Sequence, residues 1–246
     1  MEEPEKSKLT GGVKISVIPS VISSSLKTSQ SLNDPNLPAL SKAEGFRDLE
    51  KAAAIINAGG VVVFPTDTVY GIGCRFDNRK ALERIRRIKG TPENQQFPVL
   101  VSDVGQVKKI AKLTNPAQKL IDKYWPGALT IVLDSRHPEL LPRHPELATG
   151  PELYRRDSGS KHKIGFRMPD SLLTRTLIEK VGAPIIGTSA NFHTKRTSAG
   201  YGDLDPQFIK LADYVIPGEC KLGRESTVVD ATVDPPKVLR EGAVSI

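Results

Sequence analysis

The chain has 246 residues, of which 35 are basic and 28 acidic, so its formal net charge is +7. With 38% hydrophobic residues and no run of about 20 apolar residues, the composition predicts a globular core and excludes fibrous, wholly disordered and membrane-spanning proteins. Two cysteines, Cys74 and Cys220, are too few for a disulfide scaffold or a zinc knuckle and suit a reducing compartment. The acidic first residues carry no targeting signal, so we expect a cytoplasmic protein.

The first 45 residues differ in composition from the rest of the chain. Residues 1–45 contain nine serines, four prolines and no aromatic residue, and their five lysines are balanced by five acids. Such a composition cannot bury enough apolar surface to fold. We therefore predict a disordered N-terminal extension over 1–45 and one globular domain over 46–246.

From Phe46 the predicted elements alternate between helices and strands. The first helix covers 46–56 and ends before Gly59, because glycine terminates helices readily. Continuous apolar runs, which are typical of strands buried on both faces, lie at 61–64, 99–101, 129–133, 164–166, 185–186 and 228–229. Apolar residues at helical spacing predict further helices at 79–88, 104–113, 116–124, 172–181 and 208–211. This alternation predicts an α/β sheet with helices packed on it.

A segment over about 135–163 interrupts the alternation. It holds four prolines, few apolar residues and three of the four histidines, His137, His144 and His162. No spacing among these histidines matches a pair of metal ligands on one helix face, and no cysteine lies nearby. We predict a long surface insertion and no metal held by protein ligands.

Much of the positive charge is concentrated in residues 79–90, which hold six basic residues and one acid. Such a run is commonly the solvated face of a helix, but it also suits an anion site. With the apolar residues turned to the core, Lys80, Arg84 and Arg87 share an outer face. Lys89 falls at the helix end beside a Gly-Thr-Pro turn, from where its ammonium group can reach a phosphate or a carboxylate.

The strand predicted at 61–64 ends in polar residues that suit a small ligand. Thr66 and Thr68 point to the same side if the chain stays extended, and Tyr70 follows beside them. Ligands of open α/β sheets bind beyond the carboxyl ends of the strands. Alternatively, Asp67 and the threonines only satisfy the backbone groups of a turn.

Other predicted strands end in the same way. Ser189 and Asn191 are two residues apart, so an extended chain presents both on one face. Arg167 lies in an apolar strand, where an unpaired guanidinium costs several kcal/mol, so it needs a protein carboxylate or a ligand carboxylate. Polar clusters at 223–230 and 238–242 surround the last strand. Walker spacing, a G-x-S-x-G elbow and a Cys-His pair are all absent, so covalent catalysis is not indicated.

Seven short motifs follow one another through the globular part of the chain. They are PTDTVYGIG at 65–73, KGTP at 89–92, WPGALT at 125–130, GFRMP at 165–169, TSAN at 188–191, ESTV at 225–228 and Leu-Arg at 239–240. Their order resembles that of the YrdC-like threonylcarbamoyl-AMP synthases of the single-domain TsaC type. Any one motif is a weak signal, but seven in order over 46–246 are a strong one.

The resemblance implies a YrdC/RibB-like α/β fold, in which a twisted open mixed sheet and flanking helices surround a concave basic cavity. It also implies a nucleotidyltransferase that joins L-threonine, bicarbonate and ATP, accompanied by Mg²⁺, into threonylcarbamoyl-AMP with release of pyrophosphate. The product would serve a downstream tRNA threonylcarbamoyl transferase complex in tRNA modification. Contact with tRNA or double-stranded RNA is a further expectation, and contact with a membrane is not expected.

The resemblance also implies the roles of particular residues. The residues that would bind threonine are Thr68, Arg167, Ser189 and Ser226. Those that would bind ATP are Lys89, Thr91, Asn191, Ser198 and Arg240. The catalytic residues would be Lys89, Ser189 and Asn191. The cations and Mg²⁺ would stabilise the leaving pyrophosphate, and positioning would bring an N-carboxythreonine intermediate to the α-phosphate.

Two positions depart from the family pattern. Thr91 stands where the usual Lys-x-Arg-Pro loop has arginine, so Arg86 or Arg87 would have to substitute, or activity would be altered. After Asn191 the usual Pro-Ser-Pro-Thr stretch reads Arg-Thr-Ser-Ala at 196–199. A second hypothesis is therefore a catalytically impaired relative that binds RNA or a nucleotide. A third, the carbamoyl-adenylate chemistry of hydrogenase maturation, is disfavoured because its acylphosphatase and zinc segments are missing from this sequence.

Overall fold

The structure is a computed structural model that describes residues 42–92, 95–136 and 163–246. Within these ranges the chain forms six α-helices and nine strands. The helices are α1 Lys42–Asn57, α2 Arg79–Lys89, α3 Val104–Ile110, α4 Asn115–Tyr124, α5 Leu172–Val181 and α6 Pro206–Ile209. The strands are β1 Val62–Phe64, β2 Gly71–Arg75, β3 Val99–Leu100, β4 Leu129–Asp134, β5 Lys163–Arg167, β6 Ile185–Ser189, β7 Tyr214–Val215, β8 Thr227–Asp230 and β9 Lys237–Arg240.

The nine strands form one twisted sheet in the order β7-β1-β2-β6-β3-β5-β4-β8-β9. Three neighbouring pairs are parallel, namely β1 with β7, β3 with β5 and β4 with β8. The other five pairs are antiparallel. The sheet is therefore mixed, and the predicted α/β class with flanking helices is confirmed.

Strand β1 and the residue before it show why helices cover both faces of the sheet. Val62 and Phe64 pack with α1 and α5, whereas Val61 and Val63 pack on the opposite face with α2, α3 and α4. Successive side chains of a strand point to opposite faces, so a continuous apolar run needs a core on each side. All four side chains are fully buried.

Helix α2 begins and ends at the residues that the sequence indicates. Asn78 Oδ1 accepts a hydrogen bond from the backbone N–H of Ala81 at 3.0 Å, and Gly90 ends the helix at φ 65°. That left-handed conformation favours glycine because it has no Cβ. The predicted apolar face is buried and consists of Leu82, Ile85 and Ile88. This burial fixes the end of α2, and with it Lys89, against the sheet.

The structure changes some predicted boundaries. Helix α1 begins at Lys42, so residues 42–45, predicted as part of the extension, are helical. Strands β2, β7 and β9 are additions to the predicted elements. The rest of the predicted extension, 1–41, and most of the predicted insertion, 137–162, lie outside the described residues.

Candidate active site

Arg167, at the end of β5, lies against the segment that joins β1 to β2. Its guanidinium donates to Thr68 Oγ1 at 2.7 Å and to the Gly127 carbonyl at 3.0 Å, and it forms an ion pair with Asp67. The two ionised side chains are only 7% and 3% exposed. Burial lowers the pKa of Arg167, and the Asp67 carboxylate opposes that shift. Of the two anions that the sequence leaves open, the protein supplies a carboxylate. We call Asp67, Thr68, Gly127 and Arg167 the Arg167 cluster.

The hydroxyls of Thr66 and Thr68 lie 2.9 Å apart, on one side of the chain as predicted. Thr66 donates its proton to the Val69 carbonyl at 2.7 Å, so it accepts from the Thr68 hydroxyl. Thr68 also accepts from Arg167. Since a hydroxyl has one proton and two lone pairs, Thr68 keeps one lone pair for a further donor.

The side chain of Tyr70 is not a neighbour of these hydroxyls in a ligand site. Its hydroxyl lies 2.8 Å from the Gly218 carbonyl and 3.2 Å from the Ile216 carbonyl, and the ring is fully buried. Burial raises the pKa of Tyr70 well above its ordinary value. The Tyr70 hydroxyl is therefore bonded within the protein, where it anchors the segment around Gly218.

Lys89 and the residues that follow β6 form a second group of polar contacts. The Lys89 ammonium donates to the Ser189 carbonyl, to the Asn191 carbonyl at 2.8 Å and to Asn191 Oδ1 at 3.1 Å. Asn191 Nδ2 in turn donates to the Lys195 carbonyl. We call Lys89, Ser189 and Asn191 the Lys89 cluster. Three predicted catalytic residues are thus in direct contact.

The Lys89 ammonium is bonded to neutral oxygens. Burial lowers the pKa of Lys89 to about 8, and Glu225 opposes that shift from a distance. Three acceptor oxygens match the three protons of an ammonium group. The group is therefore held as a buried cation whose charge is not cancelled by a bonded carboxylate.

The segment from Ser189 to Asn191 is a turn and not the extended chain that the sequence suggests. The backbone N–H of Asn191 donates to the Ser189 carbonyl at 3.0 Å, and that of Ala190 donates to the Tyr70 carbonyl at 2.8 Å. This turn aims two carbonyls at Lys89. The Ser189 hydroxyl makes no hydrogen bond to any residue that the structure describes.

Arg240, the last residue of β9, holds Ser226 in place. Its guanidinium donates to the Ser226 carbonyl at 2.8 Å and to Ser226 Oγ at 3.4 Å, and it pairs with Glu225 at 2.9 Å. The Ser226 hydroxyl also bonds to Thr130 Oγ1 at 2.8 Å. A Cβ at Gly242 would lie 2.3 Å from the Ser226 carbonyl carbon, so glycine permits this close approach. Arg240, which is predicted to bind ATP, therefore contacts Ser226, which is predicted to bind threonine.

Ser198 and Thr91, both predicted at ATP, have different surroundings. The Ser198 hydroxyl is buried and donates to the Asp203 carbonyl at 3.0 Å. Thr91 Oγ1 is buried and has no hydrogen-bond partner within the described part of the chain. A buried hydroxyl without a partner is unfavourable unless a ligand satisfies it.

Helix α2 places part of its charged run in ion pairs outside this site. Arg84, on the outer face that the sequence offers to an anion, pairs with Asp213. The Arg86 guanidinium lies 5.6 Å from the centre of the Phe97 ring and donates a hydrogen bond to the Gln95 carbonyl at 2.9 Å. The interpretation of the whole run as an anion site is therefore too broad.

Electrostatic contacts join the clusters. The pKa of Arg167 is lowered by burial and further by Arg240, and the pKa of Lys89, lowered by burial, is raised by Glu225. The backbone N–H of Gly223 donates to the Thr68 carbonyl at 2.8 Å. The structure thus brings residues from seven separate segments of the chain into one site.

Three further residues belong to these contacts. Asp67 balances Arg167, Thr130 bonds to Ser226, and Glu225 pairs with Arg240 and raises the pKa of Lys89. Each lies inside one of the seven sequence motifs. Their position inside a motif is therefore the only signal in the sequence for these three residues, because their residue types alone do not indicate a functional role.

The fold and the site together define a mixed α/β protein with a polar site beside the ends of its strands. In this site, arginine side chains contact threonine and serine hydroxyls. The chain belongs to the Sua5/YciO/YrdC family, whose model, described as telomere recombination, matches residues 54–242.

Named relatives agree with this assignment. Threonylcarbamoyl-AMP synthase of Bacillus subtilis is 35% identical over 205 residues, which are 80% of this chain and 54% of the relative. Uncharacterized protein YciO of Escherichia coli is 30% identical over 198 residues, with 80% and 89% covered. The crystal structure of Pyrococcus abyssi Sua5 complexed with L-threonine matches with a TM-score of 0.70 and 32% identity, covering 81% of this chain and 55% of that one. The chain spans about half the length of the first and third of these proteins.

The described residues include neither a candidate membrane span nor a candidate metal site. No described helix has the length and apolar character that crossing a membrane requires. Within the described ranges, no group of three or more histidine, cysteine, aspartate or glutamate residues is arranged to hold a metal ion.

Proposed function

We propose that the protein is an L-threonylcarbamoyladenylate synthase, a nucleotidyltransferase. It converts L-threonine, bicarbonate and ATP into threonylcarbamoyl-AMP, pyrophosphate and water. The observation that carries the proposal is the pairing of a charge-balanced cluster at Arg167 with a cationic cluster at Lys89. The L-threonine complex of the related Pyrococcus abyssi Sua5 supports the same substrate here.

The Arg167 cluster suits a zwitterionic amino acid. Of the five guanidinium N–H groups, three are used by Asp67, Thr68 and Gly127, so two remain for the substrate carboxylate. The remaining lone pair of Thr68 accepts from the substrate amine or hydroxyl. Because Asp67 already cancels the charge of Arg167, a substrate without net charge is preferred over an anion.

The Lys89 cluster suits the phosphates of ATP. Its ammonium can exchange one neutral oxygen for a phosphate oxygen, which gives a stronger, charge-assisted hydrogen bond. Mg²⁺ would arrive with ATP as part of the substrate, since no described cluster of carboxylates is built to hold it. Lys89 and Mg²⁺ would then stabilise the charge that develops on pyrophosphate.

Catalysis would rest on position and electrostatics. A carbamate oxygen of N-carboxythreonine attacks the α-phosphorus, and the bond to the bridging oxygen of pyrophosphate breaks. Asn191 would hold Lys89 in position, and the Ser189 hydroxyl, which has no described partner, is available to the intermediate. Arg240 and Ser226, already in contact, would bridge the two substrates.

The product would be used in the cytoplasm. A tRNA threonylcarbamoyl transferase complex would move the threonylcarbamoyl group to tRNA, with release of AMP. A separate contact between this chain and tRNA or double-stranded RNA would add to that transfer but is not required for synthesis.

The test is a reconstituted reaction. Purified protein is incubated with ATP, Mg²⁺, bicarbonate and L-threonine, while pyrophosphate and threonylcarbamoyl-AMP are measured by coupled assay and mass spectrometry. We expect product that depends on each component. Replacing Lys89 with Met should abolish product, whereas Lys210→Met, which removes an exposed lysine beyond α6, should not.

If no threonine-dependent product forms under any condition, the synthase assignment is wrong. RNA binding that weakens steeply with salt, without product, would favour the impaired RNA-binding relative instead.

A further inference from the structure

The turn that follows Asn191 carries two exposed cations next to the Lys89 cluster. The side chains of Lys195 and Arg196 are exposed and make no ion pair or hydrogen bond with any residue that the structure describes. The buried cations of this site all have such partners. Lys195 and Arg196 are therefore available to a ligand that arrives from solvent.

This turn is hydrogen-bonded to the end of α2 and to Asn191. The backbone N–H of His193 donates to the Lys89 carbonyl at 2.7 Å, and Asn191 Nδ2 donates to the Lys195 carbonyl. Thr194 has a φ of 68°, a left-handed conformation that β-branched residues rarely adopt. Such strain persists where the surroundings fix the chain, and it clusters at ligand clamps.

The chain is anchored again just beyond Arg196. The Ser198 carbonyl accepts from the backbone N–H of Tyr70 at 2.8 Å, and the Ser198 side chain is buried. Arg196 therefore lies one residue after a bond to the Lys89 cluster and two residues before a bond to the segment of Thr68. Its backbone is fixed between the two clusters.

The loop after α2 lacks a cation of its own. Thr91 presents a buried hydroxyl without a described partner. Arg86, which precedes the loop, donates to the Gln95 carbonyl at 2.9 Å and lies over Phe97. The loop itself, residues 90–98, therefore has no basic side chain for the outer phosphates of ATP.

We infer that Arg196 supplies the phosphate-binding cation that position 91 lacks, by contacting the β- and γ-phosphates of ATP; this inference rests on the proposed function. A guanidinium binds phosphate through two parallel hydrogen bonds, whereas the neighbouring Lys195 offers a point charge. AMP has no β- or γ-phosphate and does not make this contact.

The test measures nucleotide binding by calorimetry without threonine or bicarbonate. We expect Arg196→Gln to raise the Kd for Mg-ATP about tenfold, as for the loss of a hydrogen bond to a charged group. The Kd for AMP should stay unchanged, and Arg196→Lys should restore part of the affinity. Lys210→Gln removes an exposed charge elsewhere and should leave both constants unchanged.

A second variant tests the compensation between the two positions. In a Thr91→Arg background, where a cation is present at 91, Arg196→Gln should have a much smaller effect on ATP binding. An equal effect in both backgrounds, unchanged ATP binding in Arg196→Gln, or a larger effect of Lys195→Gln would overturn the inference. Wild-type protein that does not bind ATP overturns it as well.

The same experiment separates this inference from the proposed function. If Arg196→Gln weakens ATP binding but the wild type makes no threonylcarbamoyl-AMP, the synthase assignment fails and the phosphate contact stands. If the wild type makes product and Arg196→Gln binds ATP normally, the synthase assignment stands and the phosphate contact of Arg196 fails.

Discussion

The Arg167 and Lys89 clusters hold their cations in different ways. Arg167 is bonded to a carboxylate and is nearly inaccessible, so its charge is cancelled within the protein. Lys89 is bonded to carbonyl and amide oxygens, and the exposed Lys195 and Arg196 follow nearby. The first cluster is close to neutral, and the second is positive.

This difference indicates which ligand each cluster prefers. A neutral site with hydrogen-bonding capacity recognises a zwitterion by geometry, because an added net charge has no partner in it. A positive site recognises a polyphosphate by its charge, and this recognition depends less on exact hydrogen-bond geometry. Removing one charge of the Arg167 cluster should therefore lower the stability of the protein. Removing the charge of Lys89 should instead weaken nucleotide binding.

The largest effect is expected from separating Asp67 and Arg167. Removing either partner leaves a buried charge uncompensated, so Arg167→Met and Asp67→Asn should each lower the free energy of unfolding by about 3–5 kcal/mol. The double variant should lose less than the sum of the two. Urea unfolding at pH 7 measures all three variants. Strictly additive losses would show that the two side chains do not depend on each other.

The next effect concerns ATP. Lys89→Met should raise the Kd for Mg-ATP about 10–100-fold, because it removes a hydrogen bond from a charged group. Threonine binding should change little. Calorimetry with each substrate separates the two constants, and Lys210→Met is the matched control. An equal loss of threonine affinity would contradict the separation of the clusters.

A pH series follows from the pKa of Lys89. Burial lowers this pKa from 10.5 to about 8, so the ammonium loses its proton as the pH rises through 8. ATP affinity should therefore fall between pH 7 and pH 9.5, and Lys89→Met should abolish this dependence. The unfolded chain binds the proton more tightly in this window, so the ligand-free protein should gain stability over the same range. A flat ATP affinity in the wild type would refute this prediction.

Much of the fold is predictable from the sequence because it depends on local patterns. Continuous apolar runs identify six strands, and glycine at 59 and 90 ends two helices where expected. Strand β7 escapes prediction because two residues carry no periodicity, and β2 because glycines at 71 and 73 lower its strand propensity. The order of the nine strands depends on distant pairings that single segments do not encode.

The candidate site is less predictable than the fold. The motifs bring the correct residues to attention, but partners separated by about a hundred positions, such as Asp67 and Arg167, appear only in three dimensions. The chain after Ser189 also forms a turn, whereas the spacing of Ser189 and Asn191 suggests an extended chain. In this turn the carbonyls of both residues accept hydrogen bonds from Lys89. Residue types thus indicate a site, whereas its charge balance requires the structure.

A moderate effect is expected at Thr68. Thr68→Val removes the lone pair that is left for the substrate, so the KM for threonine should rise about tenfold, the equivalent of a hydrogen bond. Thr68→Ser keeps the hydroxyl and should stay near the wild type, and the KM for ATP should not change in either variant. A rise in the ATP constant alone would place Thr68 with the Lys89 cluster instead.

The smallest effect is expected at Thr91. Thr91→Val replaces a buried hydroxyl that has no described partner with a methyl group of similar size, so the ligand-free protein should gain about 1 kcal/mol of stability. Thermal unfolding with and without Mg-ATP then tests whether ATP satisfies this hydroxyl. If it does, ATP should raise the Tm of the variant less than that of the wild type. An equal rise in Tm in both proteins would mean that Thr91 does not contact ATP. The phosphates would then be bound by cations outside this loop.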